Sequence, residues 1–148
     1  MNRPIDARYL DTCVLVSLFH GDDGYPAAET WLAEADGQEL WISHWVLLEF
    51  ASATAVRLRR GDLNATKAAA VQVGLEALRH ERLAMVEPRG EDFLLARTWI
   101  VSDGIPGLRA ADGLHLAMAR RQGLRLVSAD RALLRAACAL GIPIEPLG

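Results

Sequence analysis

Four acidic residues are the side chains of this sequence best placed for chemistry. Asp11, Asp112 and Asp130 stand at or near the start of apolar helical segments, and Glu49 lies inside another. An aspartate at such a position has an ordinary structural explanation, because its carboxylate accepts hydrogen bonds from the free N–H groups of a first helical turn. Taken singly, each aspartate can be a helix cap. The question is whether folding brings the four carboxylates together.

Glu49 is harder to explain as a structural residue. On its helix, Trp45 and Ala53 lie four residues before and after it, so the carboxylate shares an apolar stripe. Burying an isolated ionised group is costly, and the group would take up a proton unless a cation or hydrogen-bond donors offset the lost hydration. Two interpretations stay open: a metal ion near Glu49, or an arginine from another helix.

His115 follows Asp112 by three residues and could lie on the same helix face as a metal ligand. No second histidine forms a metal pair with it. We therefore expect His115 to pack or to make a local hydrogen bond.

Short apolar runs alternate along the chain with segments of helical apolar spacing, and these elements must position the acids. The strand-like runs are Arg8 to Leu10, Leu40 to Ser43, Leu83 to Val86, Arg125 to Ser128 and Ile142 to Glu145. The clearest helical segments are His44 to Arg60, Ala65 to Arg79, Asp92 to Val101, Ala110 to Gln122 and Arg131 to Leu140. This alternation predicts an α/β fold with a mainly parallel sheet of about five strands between helical layers.

Two of the predicted strands end at an acidic residue. Asp11 follows the first strand, and Asp130 follows the fourth. In parallel α/β sheets, function gathers outside the carboxyl ends of the strands, especially where the strand order reverses. Two strand ends thus each present a carboxylate where such sheets place their sites.

The composition predicts one globular domain over residues 1–148, since 51% of the residues are hydrophobic and 24% are charged. No stretch approaches the roughly 18 uninterrupted apolar residues of a membrane span, and residues 1–6 lack the apolar core of a signal peptide. We therefore expect a cytoplasmic protein. Cys13 and Cys138 match neither a disulfide framework nor a zinc-ligand spacing, so we expect small buried side chains.

The formal net charge of −3 argues weakly against a nucleic-acid partner. Setting aside the four acids as a metal site leaves 16 basic and 15 acidic residues. Nearly all the positive charge is arginine, which matches phosphate through bidentate hydrogen bonds. The main arginine groups are Arg57, Arg59 and Arg60, then Arg120, Arg121 and Arg125. We favour ordinary solvated helix faces, with phosphate binding as the alternative.

The order of the four acids resembles that of the PIN-domain nucleases, most closely the small VapC-type toxins of bacterial and archaeal toxin–antitoxin pairs. The matching motifs are Leu10-Asp11-Thr12, Leu47-Leu48-Glu49, Ala111-Asp112-Gly113-Leu114-His115-Leu116-Ala117 and Ser128-Ala129-Asp130-Arg131. Each motif alone is weak, but the ordered set covers nearly the whole chain and is fairly specific. Cys13 stands where serine or asparagine is usual. Gly113 replaces a usual alanine, and we expect it to loosen the turn that aims Asp112.

The resemblance implies a PIN-like three-layer α/β/α sandwich that hydrolyses RNA phosphodiesters with a divalent cation. Four carboxylates in one cleft would raise one another's pKa unless such an ion were present, and oxygen-only ligands suit Mg²⁺ or Mn²⁺. Asp11 and Asp112 would be the main anchors. Glu49 and Asp130 would complete the shell through water or a second ion, and one carboxylate would orient the attacking water.

Thr12 and Ser128 adjoin the motifs of Asp11 and Asp130. Their hydroxyls could bind water or phosphate, and capping or turn hydrogen bonding is an equally good interpretation. Because water would be the nucleophile, cleavage would leave 5′-phosphate and 3′-hydroxyl ends.

Other enzymes of similar architecture fit less well. A haloacid-dehalogenase-like phosphatase needs an aspartate where Cys13 stands, and a receiver domain needs a lysine after a late strand, whereas Lys67 lies in an earlier helical segment. No glycine–lysine phosphate loop is present. The rival from another class is a non-catalytic PIN-like module that binds RNA or a protein.

The resemblance also implies two protein partners. One is a small antitoxin whose tail occupies the active-site groove, often through a basic side chain, and the other is a second copy of the chain in a homodimer. Segments rich in tryptophan and leucine, such as Trp31-Leu32 and Trp41 to Leu48, could supply such surfaces, but we favour core packing.

Overall fold

The computed structural model describes residues 7–102 and 104–148. The strands are β1 (Arg8–Leu10), β2 (Leu40–Ser43), β3 (Leu83–Val86), β4 (Arg125–Ser128) and β5 (Ile144–Pro146). The helices are α1 (Thr12–His20), α2 (Tyr25–Glu34), α3 (His44–Arg60), α4 (Ala65–Arg82), α5 (Gly90–Val101), α6 (Ala110–Gln122) and α7 (Arg131–Ala139).

The five strands run parallel in one sheet of order β3-β2-β1-β4-β5, which confirms the predicted α/β class. Strand order reverses between β1 and β4, because β2 and β3 lie on one side of β1 whereas β4 and β5 lie on the other. Leu10 pairs with Val127 at this junction. The carboxyl ends of β1 and β4 therefore open onto the crevice where such sheets hold ligands.

Both faces of the sheet are buried. Successive side chains of a strand point to opposite faces, yet Tyr9 and Leu10 of β1, and Leu126 and Val127 of β4, are all fully buried. Parallel strands covered on both faces are apolar throughout rather than alternating. This burial explains why the strands are recognisable in the sequence as short apolar runs.

The tryptophan- and leucine-rich segments contribute mainly to the core, as we expected. Trp31, Trp41, Trp45 and Leu47 are partly buried and pack against it. Leu48 is an exception, since 60% of its surface is exposed. Within the described ranges, no helix combines the length and the apolar character that crossing a membrane requires.

The last strand begins later than the sequence predicts. β5 covers Ile144–Pro146, because the N–H of Ile142 instead closes the end of α7 by donating to the carbonyl oxygen of Ala137 over 2.9 Å. Two helix ends also shift slightly: α4 continues to Arg82, and α7 ends at Ala139.

Helix α5 begins at Gly90, earlier than predicted, because Asp92 lies inside its first turn. Oδ2 of Asp92 accepts the main-chain N–H of Arg89 over 2.8 Å. The side chain is only 1% exposed, and Arg121 of α6 donates to both of its oxygens, from Nε to Oδ1 over 2.8 Å and from Nη2 to Oδ2 over 2.9 Å. This buried ion pair joins α5 to α6.

The ion pair also corrects our expectation for one arginine group. Arg121 faces neither solvent nor a phosphate site, since its Nη2 also donates to the carbonyl oxygen of Glu87 over 2.8 Å. Arg120 and Arg125 donate to main-chain carbonyl groups. In the other group, residues 59–60 are exposed, as predicted for a solvated helix face.

The prediction that both cysteines are buried is wrong. Cys138 is exposed and Cys13 is half-buried. Cys138 belongs to an apolar run, but its neighbour Ala137 takes the fully buried side of α7. Adjacent residues of a helix point in different directions, so an apolar run does not bury every member.

Helices α5 and α6 pack closely at Gly113. A Cβ atom on this buried glycine would lie 3.2 Å from Cβ of Ala96 and 3.5 Å from Cδ1 of Ile100. The N–H of Gly113 donates to the carbonyl oxygen of Arg109 over 2.9 Å, as in a regular helix. Gly113 therefore allows close helix packing beside Asp112, and the turn before it is not loosened.

Replacing Arg121 by alanine should lower the free energy of unfolding by about 3–5 kcal/mol, because it strands the buried Asp92 carboxylate without its partner. Urea denaturation measures this change. Adding Asp92→Asn to Arg121→Ala should recover part of the loss, since the amide carries no charge. The exposed Arg59→Ala is the matched control and should change stability little. Equal, small effects of Arg121→Ala and Arg59→Ala would contradict the assignment.

Candidate active site

Asp11 occupies the carboxyl end of β1 and is mostly buried, with 8% of its surface exposed. Its N–H donates to the carbonyl oxygen of Val127 over 3.0 Å, which ties it to β4. Oδ1 accepts the N–H of Thr12 over 2.8 Å as the cap of α1. Oδ2 accepts the hydroxyl of Ser128 over 2.7 Å and the thiol of Cys13 over 3.3 Å. Asp11 is thus a helix cap whose second oxygen reaches across the switch point.

Asp130 lies two residues beyond β4 and is exposed. Its Oδ1 accepts the N–H groups of Ala132 and Leu133 over 2.9 and 3.2 Å, which caps α7. Its own N–H donates to the hydroxyl oxygen of Ser128 over 3.0 Å. Because Ser128 also donates to Asp11, one fully buried hydroxyl connects the two strand ends.

Glu49 is half-buried on α3, and its partners are not arginines. Oε1 accepts the hydroxyl of Thr12 over 2.6 Å and lies 2.5 Å from Nε2 of His115. Burial would raise the pKa of Glu49, but the interaction with His115, followed by the hydrogen bond from Thr12, outweighs it and lowers the pKa. The hydrogen-bond partners of this carboxylate are therefore a threonine and a histidine.

Asp112 lies in the first turn of α6 and does not cap it, since the cap position belongs to Arg109. Within the described residues, neither carboxylate oxygen of Asp112 has a hydrogen-bond partner. Burial raises the pKa of Asp112, and the charges of Asp130 and Asp11 raise it further, with a smaller contribution from Glu49. The other three predicted acids therefore lie near enough to Asp112 for their charges to raise its pKa.

His115 forms a hydrogen bond, as we expected, but over long range rather than locally. The side chain is 1% exposed, and both ring nitrogens have partners: Nδ1 lies 2.6 Å from the hydroxyl of Tyr9, and Nε2 contacts Glu49. With both nitrogens in use, His115 has no free lone pair for a metal ion. Nothing in the sequence signalled Tyr9, which reads as an ordinary strand residue.

The unusual residue at position 13 serves as a donor to Asp11. Burial raises the pKa of the Cys13 thiol to about 12, and the Asp11 charge adds to this effect. The thiol therefore keeps its proton at neutral pH. Its sulfur also lies 3.6 Å from the hydroxyl of Ser128.

The donor set suits a hard divalent cation, although its members do not already form a coordination shell. Within residues 7–102 and 104–148, no three histidine, cysteine, aspartate or glutamate side chains are arranged to hold a metal ion. In the same ranges, Oε2 of Glu49, Oδ2 of Asp130 and both oxygens of Asp112 accept no protein hydrogen bond. These oxygens are the ligand type that Mg²⁺ and Mn²⁺ prefer.

A family model described as the PIN domain matches residues 8–138, which includes all four acids. No curated protein matches the chain by sequence. The chain is therefore related to known proteins through its family model and through its fold.

Several solved structures have a similar fold, and two of them are described as a toxin and as a toxin–antitoxin complex. FitAcB of Neisseria gonorrhoeae has a TM-score of 0.69 and 20% identity, covering 92% of this chain and 94% of its own. VapC20 of Mycobacterium tuberculosis, a toxin that cleaves the sarcin–ricin loop, has a TM-score of 0.68 and 20% identity, with 86% and 93% covered. A toxin–antitoxin complex of Klebsiella pneumoniae has a TM-score of 0.60 and 19% identity, with 93% and 95% covered. Likeness at these identities concerns the fold.

Replacing Asp112 by asparagine should raise the melting temperature at pH 7. The raised pKa of Asp112 means that the folded protein binds this proton more tightly than the unfolded chain does. Ionisation of Asp112 therefore lowers stability as the pH rises from the unfolded pKa through the folded one. Asparagine removes that charge with little change of volume.

The measurement is thermal unfolding in EDTA at pH 7 and at about pH 3, below the ordinary aspartate pKa of about 3.9. The stabilisation should vanish at the lower pH. Asp36→Asn, at an exposed position, is the control and should have the melting temperature of the wild type at both pH values. A lower melting temperature for Asp112→Asn at pH 7 would show that charge repulsion does not govern this residue.

Proposed function

Because the chain belongs to the PIN domain family, we propose that it is a metal-dependent endoribonuclease, the toxin of a type II toxin–antitoxin pair. The observation that best supports this proposal is the placement of Asp112, a carboxylate that has no hydrogen-bond partner among the described residues and whose pKa is raised by burial and by Asp130 and Asp11. Such concentrated negative charge destabilises the folded protein unless it serves to bind a cation. Glu49 is held near these acids by the contacts of its Oε1 with His115 and Thr12.

Asp11 and Asp112 would be the main anchors for Mg²⁺ or Mn²⁺, and Glu49 and Asp130 would complete the shell through water or a second ion. When bound, the cation would offset phosphate charge and make a water easier to deprotonate. The free Oε2 of Glu49 is suited to orient that water, since Oε1 is already held by two donors.

The other groups of the site would hold the carboxylates in place. Ser128 and Cys13 donate to Oδ2 of Asp11 and would hold this carboxylate in place at the strand ends. Asp130 is exposed, so its free oxygen is open to an incoming substrate. The contacts of Thr12 and Ser128 favour positioning of Glu49 and Asp11, and we retain binding of water or phosphate by their hydroxyls as a proposal.

The proposed toxin role is supported by likeness in fold to VapC20, a toxin that cleaves the sarcin–ricin loop, and to the toxin–antitoxin complex from K. pneumoniae. We propose that this chain likewise binds a small antitoxin, which would place a basic side chain among the acids. A homodimer is a further part of the proposal. Apolar side chains exposed on α5, such as Phe93 and Val101 at 57% and 75%, support a protein partner on that helix.

The alternative is a PIN-like module that binds RNA or a protein without cutting. Three of the four acids keep at least one oxygen free of protein hydrogen bonds within the described residues, and such charge gives a non-catalytic module no evident advantage. We therefore favour the enzyme.

The purified protein should cleave RNA with Mg²⁺ or Mn²⁺ and should stop in EDTA. Asp11→Asn should reduce cleavage to background while the protein stays folded, because asparagine also caps a helix well. Asp36→Asn is the matched control and should cut normally. End-labelling should find 5′-phosphate and 3′-hydroxyl termini.

Cyclic phosphate termini, or full activity in EDTA, would exclude this chemistry. If Mn²⁺ leaves the melting temperature unchanged and no RNA is cut, the non-catalytic module is the correct interpretation. Normal turnover by Asp11→Asn would show that the active site does not depend on Asp11.

Induced expression of the protein in a bacterial host should slow growth, whereas Asp11→Asn at equal abundance should not. Sequencing the 5′ ends of total cellular RNA after induction would then identify the cleaved RNA. Equal growth arrest by both proteins would argue against a nuclease toxin.

A further inference from the structure

We propose that His115 is a positioning residue that holds Glu49 from inside the protein, and that Tyr9 and Ser43 fix which ring nitrogen carries the proton. The inference rests on the proposed function, since Glu49 matters through its place among the acids. It goes beyond that function because it assigns a positioning role to three buried residues that have no carboxylate. Each comes from a different element: Tyr9 from β1, Ser43 from the end of β2 and His115 from α6.

The contacts form one continuous chain. The main-chain N–H of Val46 donates to Oγ of Ser43 over 3.2 Å, Oγ of Ser43 lies 2.8 Å from the hydroxyl of Tyr9, and that hydroxyl lies 2.6 Å from Nδ1 of His115. Nε2 of His115 then lies 2.5 Å from Oε1 of Glu49. Ser43, Tyr9 and His115 are at most 1% exposed. The steps from Ser43 to His115 are therefore closed to bulk water.

The carboxylate end fixes the direction of these bonds. A carboxylate oxygen only accepts, and Thr12 donates its hydroxyl to the same Oε1 of Glu49, so Nε2 of His115 also donates to it. In a neutral ring Nδ1 then accepts, which requires Tyr9 to donate to it and Ser43 to donate to Tyr9. Burial raises the pKa of Tyr9, so the phenol keeps the proton that it donates. In this arrangement each buried hydroxyl hydrogen has one acceptor.

The opposite direction fails at Ser43. If Nδ1 donated to Tyr9, the Tyr9 hydroxyl would donate to Ser43, which already accepts the N–H of Val46. The hydrogen of Ser43 would then have no acceptor among the described residues. Leaving a fully buried hydroxyl unpaired is unfavourable. The geometry thus favours Nδ1 of His115 as the acceptor and Nε2 as the nitrogen that carries the proton.

These contacts order the Glu49 carboxylate in the proposed site. Thr12 and His115 both donate to Oε1 of Glu49, so the side chain loses its rotational freedom, and Oε2 is the oxygen left for other partners. Groups of this kind, one contact removed from a metal ion, typically alter metal affinity by 10–100-fold when they are replaced. The role of His115 is therefore to hold a ligand and not to be one.

Calorimetric titration of the full chain with Mn²⁺ in the absence of RNA tests the proposal. His115→Leu should weaken Mn²⁺ binding about tenfold or more, and His115→Gln should restore much of it, because its amide can still donate to Glu49. Tyr9→Phe should give an intermediate loss, since the ring keeps Nε2 but loses the donor to Nδ1. Folding of each variant is checked by circular dichroism.

His20→Leu is the matched control. His20 is also buried, at 8% exposed, and its Nε2 bonds a hydroxyl, that of Thr54, over 2.9 Å, but it does not contact an acid of the site. A loss of affinity in His115→Leu and an unchanged affinity in His20→Leu would support the positioning role. Equal affinity in wild type and folded His115→Leu would overturn it.

A second readout requires neither metal nor RNA, so it remains decisive if His115→Leu fails to fold. Proton–nitrogen correlation spectra of ¹⁵N-histidine-labelled protein at neutral pH should show His115 with its proton on Nε2 and a bare Nδ1. A proton on Nδ1 would overturn the inference. If the wild type binds no Mn²⁺ but shows the expected tautomer, the proposed function fails while the hydrogen-bond chain stands.

Discussion

The gathering of acidic side chains at the carboxyl edge of a parallel sheet is the feature on which the proposed function depends. The reversal of strand order delivers Asp11 and Asp130 to one crevice, and α3 and α6 add Glu49 and Asp112. The first two lie at helix caps, and Glu49 receives a hydroxyl and an imidazole. Asp112 receives no such donor within the described chain. Burial and the neighbouring carboxylate charges raise its pKa.

Capping and chemistry are compatible at this site because a carboxylate has two oxygens. Asp130 uses Oδ1 for the first turn of α7 and leaves Oδ2 free within the described residues. Asp11 uses Oδ1 for Thr12 and turns Oδ2 toward Ser128. For Asp11 and Asp130, the role of helix cap therefore does not exclude the proposed role in the active site.

Features governed by local sequence were predictable. The first four strands have the predicted bounds because each is a short apolar run buried on both faces. The start of β5 and the exposure of Cys138 were not, because they depend on how the end of α7 closes and on which side it buries. Partners distant in sequence were also hidden: Asp92 with Arg121, and Tyr9 with Ser43 and His115. Only three-dimensional packing selects such pairs from many equivalent polar residues.

The close contact between Gly113 and Ala96 has a consequence for how this chain can change over time. A side chain added at position 113 would meet the methyl group of Ala96 at 3.2 Å, one residue from Asp112. A lineage that enlarges one of these two residues must shrink the other or displace α5, and displacing α5 strains its buried Asp92–Arg121 pair. Positions 96 and 113 should therefore covary among related sequences, and this covariation would reflect helix packing rather than catalysis.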